Sequence, residues 1–135
     1  MDNILKYSKN ELTNAILRCM VMPRYNVFIV ICQGQKIKIH ELTIEVRNHI
    51  MRMMDDMKYK RDICRFKPSL SGFEFLNGSA IRIVYDRNQR GFRVHELLMY
   101  IDILNNDYNY MNETMARWMP CLKDYEEPYE IIKKE

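Results

Sequence analysis

The chain has 135 residues, of which 47% are hydrophobic and 29% are charged, and this length is sufficient for one domain with a real core. Its formal net charge is +3, and the basic and acidic residues are interleaved along the sequence. This balance permits contact with nucleic acid without requiring it, because a dedicated nucleic-acid-binding domain concentrates its basic charge on one face.

Neither secretion nor membrane insertion is indicated. The first ten residues, MDNILKYSKN, lack the apolar core of a signal peptide. The longest apolar run, residues 27–32, is far too short to cross a bilayer. We therefore expect a soluble protein in the cytoplasm, with no membrane partner.

The four cysteines and three histidines are scattered, with no C-x-x-C pair and no cluster at metal-ligand spacing. The sequence therefore predicts no metal site and no cofactor, and the cysteines are expected to be reduced. Cys32, at the end of an apolar run, is expected to be a small core residue.

The first predicted element is a helix that begins with a capping box, Ser8 and Glu11, and ends by Met22 ahead of Pro23. No strand is expected before it. Residues 26–32, NVFIVIC, are apolar without alternation, which predicts a strand buried on both faces. A long helix is predicted from about residue 35 to residue 56, with an apolar face wide enough that most of it should be covered.

A short strand at residues 62–66 should precede a β-hairpin at residues 73–84, FEFLNGSAIRIV. A two-residue turn would place the Phe and Ile side chains on opposite faces. A three-residue loop, 76–78, instead pairs Phe73 with Ile81 and unites them on one face, so we predict this register. It requires Gly78 in the left-handed conformation, with Asn77 as the other turn residue.

The remaining elements follow a polar loop at 86–92. They are an apolar strand at 96–102 that ends in Asp102, a turn-rich connection at 105–113, and a short helix at 114–120 closed by Pro120. Buried strands joined by helices predict an α/β sheet with parallel members. Residues 1–122 should form one domain, followed by a charged tail at 123–135.

Four segments in this order resemble the ATPase domain of viral large terminase subunits, the motors that pump DNA into phage heads. They are NVFIVICQGQ, FEFLNGSAIRIV, QRGF and LLMYID, and the resemblance covers residues 10–122. It implies an α/β fold of the P-loop-ATPase type in a truncated or degenerate form, with a sheet flanked by helices. It also implies that Asp102 is equivalent to the Walker B acid and that Arg90 and Gly91 belong to a loop near the nucleotide or a neighbouring subunit.

The sequence departs from this family at the two places that hydrolyse ATP. No glycine occurs before Gly34, so the phosphate-binding loop G-x-x-x-x-G-K-[ST] is missing. Ile103 stands where the catalytic Glu of the Walker B pair is expected. Phosphoryl transfer depends on positioning and charge stabilisation, and a chain without these elements has lost both. We therefore expect no catalytic residues and no ATP hydrolysis by the family mechanism.

Several residues admit two interpretations. Asp102 is either a relic of the Walker B strand or an acidic residue that ends a strand. The basic residues Arg82, Arg87, Arg90 and Arg93 are either a patch for phosphates or an acidic partner, or a solvated hairpin edge. Trp118 is either part of a partner-facing aromatic cluster or a core residue.

The sequence thus predicts a non-catalytic phage-type protein that binds a macromolecular partner in the host cell. That partner would be a packaging motor subunit, DNA, or a host or defence factor, and a homo-oligomer is a further prediction, since one sheet edge would be bare without the phosphate-loop strand. The alternatives are an NTPase completed in trans by another chain and a basic DNA-binding accessory protein.

Overall fold

The structure is a computed structural model that describes residues 4–58, 63–87, 93–101 and 108–126, without the side chains of 108–111. Its elements in chain order are β1 (Ile4–Lys6), α1 (Lys9–Val21), β2 (Asn26–Ile31), α2 (Ile39–Asp56), β3 (Cys64–Lys67), β4 (Gly72–Phe75), β5 (Ala80–Tyr85), β6 (Glu96–Tyr100) and α3 (Tyr108–Trp118). Short 3-10 helices at Pro68–Leu70 and Met119–Cys121 complete the described part.

All six of these strands form one mixed sheet in the order β1-β6-β2-β5-β4-β3. The first four strands in this order are mutually parallel, and β4 and β3 extend the sheet as antiparallel neighbours. The prediction of an α/β fold with parallel members is therefore confirmed. We call the side of the sheet where the parallel strands end the carboxyl edge, and the opposite side the amino edge.

Helices cover both faces of the sheet. On one face, α1 packs over β2 and β6 and α2 packs over β5, in a core that includes Leu12, Val46 and Ile29. On the other face, Trp118 of α3 packs with Phe28 of β2 in a second core. Because both faces are covered, β2 is buried on both sides, as its uninterrupted apolar sequence predicted.

Helix α1 begins and ends where the sequence predicted. The Ser8 hydroxyl accepts a hydrogen bond from the Glu11 backbone N–H at 3.1 Å, and the helix ends at Val21, with Met22 as its C-cap. The prediction that no strand precedes this helix was wrong, because β1 pairs in parallel with β6. A strand of three residues is too short to be recognised from a sequence pattern. Strand β1 lies at the edge of the sheet, where the sequence analysis predicted no strand.

The hairpin has the predicted register. Phe73 pairs with Ile81, and the Phe75 N–H donates to the Ser79 carbonyl at 2.8 Å across a three-residue loop. Gly78 has a φ of 87°, in the left-handed region that the loop requires. The side chains of Phe73, Phe75, Ile81 and Ile83 are all buried, so the apolar pattern determined the register.

Two helix predictions need correction. Helix α2 begins at Ile39 rather than near residue 35, and the side chain of Ile44 on it is 55% exposed, so the helix is less covered than expected. Helix α3 begins at Tyr108, within the segment predicted to be turns, and ends at Trp118 before the 3-10 turn that contains Pro120. Both corrections concern where a helix begins, and element boundaries are what local sequence patterns locate least well.

Candidate functional site

The carboxyl edge is where open α/β sheets usually bind ligands, and the resemblance to terminases placed a nucleotide there. Only Tyr7 and Ser8 separate the end of β1 from the start of α1. The Tyr7 N–H donates to the Met99 carbonyl at 2.8 Å, and Ser8 caps the helix. A phosphate-binding loop needs about eight residues here, so this two-residue junction has no room for it.

Among the residues predicted at this edge, Asp102, Arg90 and Gly91 lie outside the described residues. The strand that leads to Asp102 ends at Tyr100, whose carbonyl accepts the Cys32 N–H at 3.1 Å. Parallel pairing of β6 with β2 therefore places the end of β6 beside the loop that follows β2. The assignment of Asp102 as a Walker B equivalent stays a prediction.

A shallow cavity of about 290 Å³ lies at the carboxyl ends of β2 and β5. Its lining comprises Ile31, Cys32, Gln33, Gly34, Gln35, Tyr85, Asp86 and Arg87. Burial raises the pKa of the Cys32 thiol to about 12, with the nearby Asp86 carboxylate adding to the shift. A thiol with so high a pKa is a poor nucleophile, so Cys32 acts as the small core residue that the sequence predicted.

Asp86 is a buried acid that the sequence analysis assigned to a polar loop. Its carboxylate accepts hydrogen bonds from the Trp118 indole Nε1 at 3.1 Å and from Arg117 Nη2 at 2.5 Å. Trp118 itself is 1% exposed, so it is a core residue and not part of a partner-facing cluster. The pair ties the end of β5 to α3, and its partners lie 31 and 32 residues away in sequence, beyond the range of any local pattern.

The described arginines of the predicted basic patch do not lie together. Arg82 reaches over the Phe28 ring at 5.4 Å, and Arg87 over the Tyr85 ring at 5.3 Å. The N–H of Asp86, the residue before Arg87, donates to the Ile31 carbonyl at the carboxyl end of β2. The N–H of His95, two residues after Arg93, donates to the Asn26 carbonyl at the amino end of β2. At about 3.3 Å per residue, the chain near Arg87 and the chain near Arg93 are roughly 17 Å or more apart along the strands.

A second buried polar network lies at the amino edge. Glu96, which is 2% exposed, accepts two hydrogen bonds from Arg18 at 2.7 and 2.8 Å and one from the Tyr25 hydroxyl at 2.9 Å. The side-chain hydrogen bond to Glu96 raises the pKa of Arg18. Since every charge in this group has a partner and α1 is joined to β6 by it, its role is structural.

His95 and Tyr125 extend this network. The His95 ring stacks on Tyr25, and its Nδ1 accepts the Asn26 N–H at 2.9 Å. Burial lowers the pKa of His95, and the positive charge of Arg93 lowers it further. Tyr125 packs edge-on against both rings and donates its hydroxyl proton to the Pro23 carbonyl at 2.7 Å. The first residues of the predicted tail are therefore fixed to the domain.

The predicted turn residues Asn77 and Gly78 have a structural role at the same edge. The Asn77 side-chain amide donates to the Cys19 carbonyl at 2.7 Å, at the end of α1 where helix carbonyls lack partners. The Asn77 carbonyl accepts the Arg24 N–H at 3.3 Å. The hairpin loop therefore caps α1, a function that no feature of the sequence had indicated.

An apolar groove opens beside this loop. It has a volume of about 240 Å³ and is lined by Met20, Ile63, Phe75, Leu76 and Asn77. Leu76 is 70% exposed, and Val21, next to Met20 at the end of α1, is 74% exposed. We call these lining residues together with Val21 the amino-edge groove.

Comparison with known protein families, curated proteins and solved structures finds no match to this chain. Within the described ranges, no three His, Cys, Asp or Glu side chains are grouped so that they could hold a metal ion. No helix in the same part of the chain is long and apolar enough to cross a membrane.

Proposed function

We propose that this chain is a non-catalytic protein that binds a macromolecular partner through the amino-edge groove. In this proposal its scaffold is a degenerate relative of the viral large terminase ATPase domain, and it works in the cytoplasm of the host cell. The observation that supports the proposal is the exposure of two large apolar side chains, Val21 and Leu76, beside an apolar groove. Clustered exposed apolar residues mark interaction sites on proteins.

The fold holds two parts of the groove in place, which favours binding. Its floor includes Phe75, a buried strand residue, and one wall is the end of α1, to which Asn77 bonds. A partner therefore orders little of this surface when it binds, and the entropic cost is small. Full burial of one exposed Leu or Val side chain contributes about 1.5–3 kcal/mol, so these two side chains alone are worth a substantial part of a micromolar affinity.

The carboxyl edge supports the non-catalytic part of the proposal. Ser8 occupies the first hydrogen-bonding position at the start of α1, where a phosphate would have to bind in a P-loop enzyme. A companion chain that supplied a phosphate loop in trans would have to displace this cap. The separation of Arg87 from Arg93 likewise argues against a single DNA-binding face formed by the predicted basic patch.

The experiment compares retention of partners by the full chain and by three single variants. Leu76→Glu places a charge in the groove and Val21→Glu places one next to it, at the end of α1. Ile44→Glu places a charge on an exposed apolar position of α2. We expect a protein from infected cells that binds the wild type and Ile44→Glu but loses most of its binding to both groove variants. Equal retention by all four chains would refute the groove as the binding surface.

Two further measurements test the remaining parts of the proposal. Titration with ATP and Mg²⁺ should show no turnover, and Mg²⁺-dependent hydrolysis would refute the non-catalytic assignment. Light scattering of the wild type and Leu76→Glu distinguishes a foreign partner from a second copy of this chain. A dimer that becomes a monomer in Leu76→Glu would identify the partner as the chain itself.

A further inference from the structure

The amino-edge groove lies close to where the described chain ends. Tyr125 is anchored by its hydrogen bond to the Pro23 carbonyl and by its ring contacts with Tyr25 and His95. One residue beyond Pro23, the Arg24 N–H donates to the Asn77 carbonyl in the hairpin loop. The chain that follows Tyr125 therefore continues from a point next to the loop that borders the groove.

The length of the following segment suffices to reach the groove. Residues 127–132 lie outside the described residues and comprise six positions. An extended chain covers about 3.3–3.6 Å per residue, so these six positions span up to roughly 20 Å. Two adjacent residues, Pro23 and Arg24, join the Tyr125 anchor to the groove border, so the distance to be covered is well within this reach.

The chemistry of the segment complements the groove. Its sequence, Glu-Pro-Tyr-Glu-Ile-Ile, combines three large apolar side chains with two acidic ones. The groove is apolar, and Arg24 beside it is exposed and has no carboxylate partner among the described residues. The Arg24 side chain lies against Gly78, so its charge is at the border that an arriving segment would cross first.

We propose that residues 127–132 bind in the amino-edge groove of the same chain, where Ile131 and Ile132 cover Leu76 and Val21 while the acidic residues face Arg24. The segment then competes with the partner for the groove. This competition rests on the proposed function, whereas the intramolecular contact does not. Tyr125 keeps the segment at high effective concentration, so a weak contact is sufficient to occupy the groove.

The direct test is nuclear magnetic resonance of the full chain with labelled Ile, Leu and Val methyl groups. We expect nuclear Overhauser cross-peaks that join the methyls of Ile131 or Ile132 to those of Leu76 or Val21, and none to Ile44. Dilution of the labelled chain distinguishes a contact within one chain from a contact between two copies. Absence of cross-peaks to the groove, or their loss on dilution, overturns the proposal.

A pair of full-chain variants tests the competition. Ile131→Glu with Ile132→Glu should shift the methyl resonances of Leu76 and Val21 and increase partner affinity roughly five-fold or more, the lower end of typical coupling between two ligands. Lys133→Glu with Lys134→Glu is the matched control and should change neither. If the cross-peaks are present but Leu76→Glu retains every partner, the intramolecular contact stands and the proposed function fails. If the cross-peaks are absent but Leu76→Glu loses the partner, the function stands and this inference fails.

Discussion

The buried carboxylate of Asp86 offers a sharp test of how the sheet is joined to α3. Replacement by Ala removes the acceptor for the Trp118 Nε1 proton, and Trp118 is too deeply buried to bond with water instead. An unsatisfied buried donor costs about 1–3 kcal/mol. The Arg117 side chain is 44% exposed, so loss of its ion pair with Asp86 adds only about 0.5–1 kcal/mol. Asp86→Ala should therefore lower the free energy of unfolding by about 1.5–4 kcal/mol.

Asp86→Asn is the matched control. The amide oxygen still accepts the indole proton, whereas the amide nitrogen is a donor that cannot pair with Arg117. This variant should therefore lose the ion pair but be destabilised less than Asp86→Ala. The assay is urea unfolding followed by fluorescence of the single tryptophan, which lies at the site itself. Equal destabilisation by the two variants would refute the reasoning, because it would show that the charge matters and the buried indole donor does not.

Two further changes test the packing of the sheet and the state of a buried imidazole. Gly72→Ala should destabilise the protein by about 3 kcal/mol, because an added Cβ would lie 2.0 Å from the Ile81 carbonyl oxygen. Gly34→Ala meets open space and should cost only about 1 kcal/mol, for its positive φ. Similar losses of stability for the two variants in thermal unfolding would contradict the steric argument. Because burial lowers the pKa of His95, the unfolded chain takes up a proton more readily, so the free energy of unfolding should fall as the pH drops below about 6.5. His95→Asn retains an acceptor for the Asn26 N–H and cannot titrate. In urea unfolding near pH 7.5 and pH 5.5, the stability of this variant should therefore depend less on pH than that of the wild type. An unchanged pH dependence would exclude His95 as its source.

Local sequence patterns predicted the elements whose burial is visible in their own apolar residues. The hairpin register followed from the positions of Phe73 and Ile81, because only one loop length puts both on the buried face. The burial of β2 followed from an apolar run without alternation. In each case the apolar pattern that indicates burial lies within the segment itself.

The residues that the sequence did not identify depend on distant partners. Glu96 belongs to an apolar strand, and its cation, Arg18, is 78 residues away in the chain. Asp86 follows a strand in what resembled a polar loop, and its burial depends on α3. Strand β1 has three residues and is defined by its pairing with β6. None of these features has a local signature, because the structure that satisfies them exists only after the sheet has formed.

In the hairpin loop, the groups that stabilise the fold are different from the side chain proposed for binding. The polar side chains at the loop serve the fold, since Asn77 caps α1 and Ser79 donates to the Met22 carbonyl at 2.7 Å. The backbone N–H of Leu76 donates to the Ile63 carbonyl at 2.9 Å, but its side chain is exposed. Folding therefore needs the backbone at position 76 and not a leucine side chain, and a polar residue there should change stability by no more than about 0.5 kcal/mol. Leu76→Glu is for this reason a clean test of the groove, because loss of binding without loss of stability can only reflect the surface that the leucine provides.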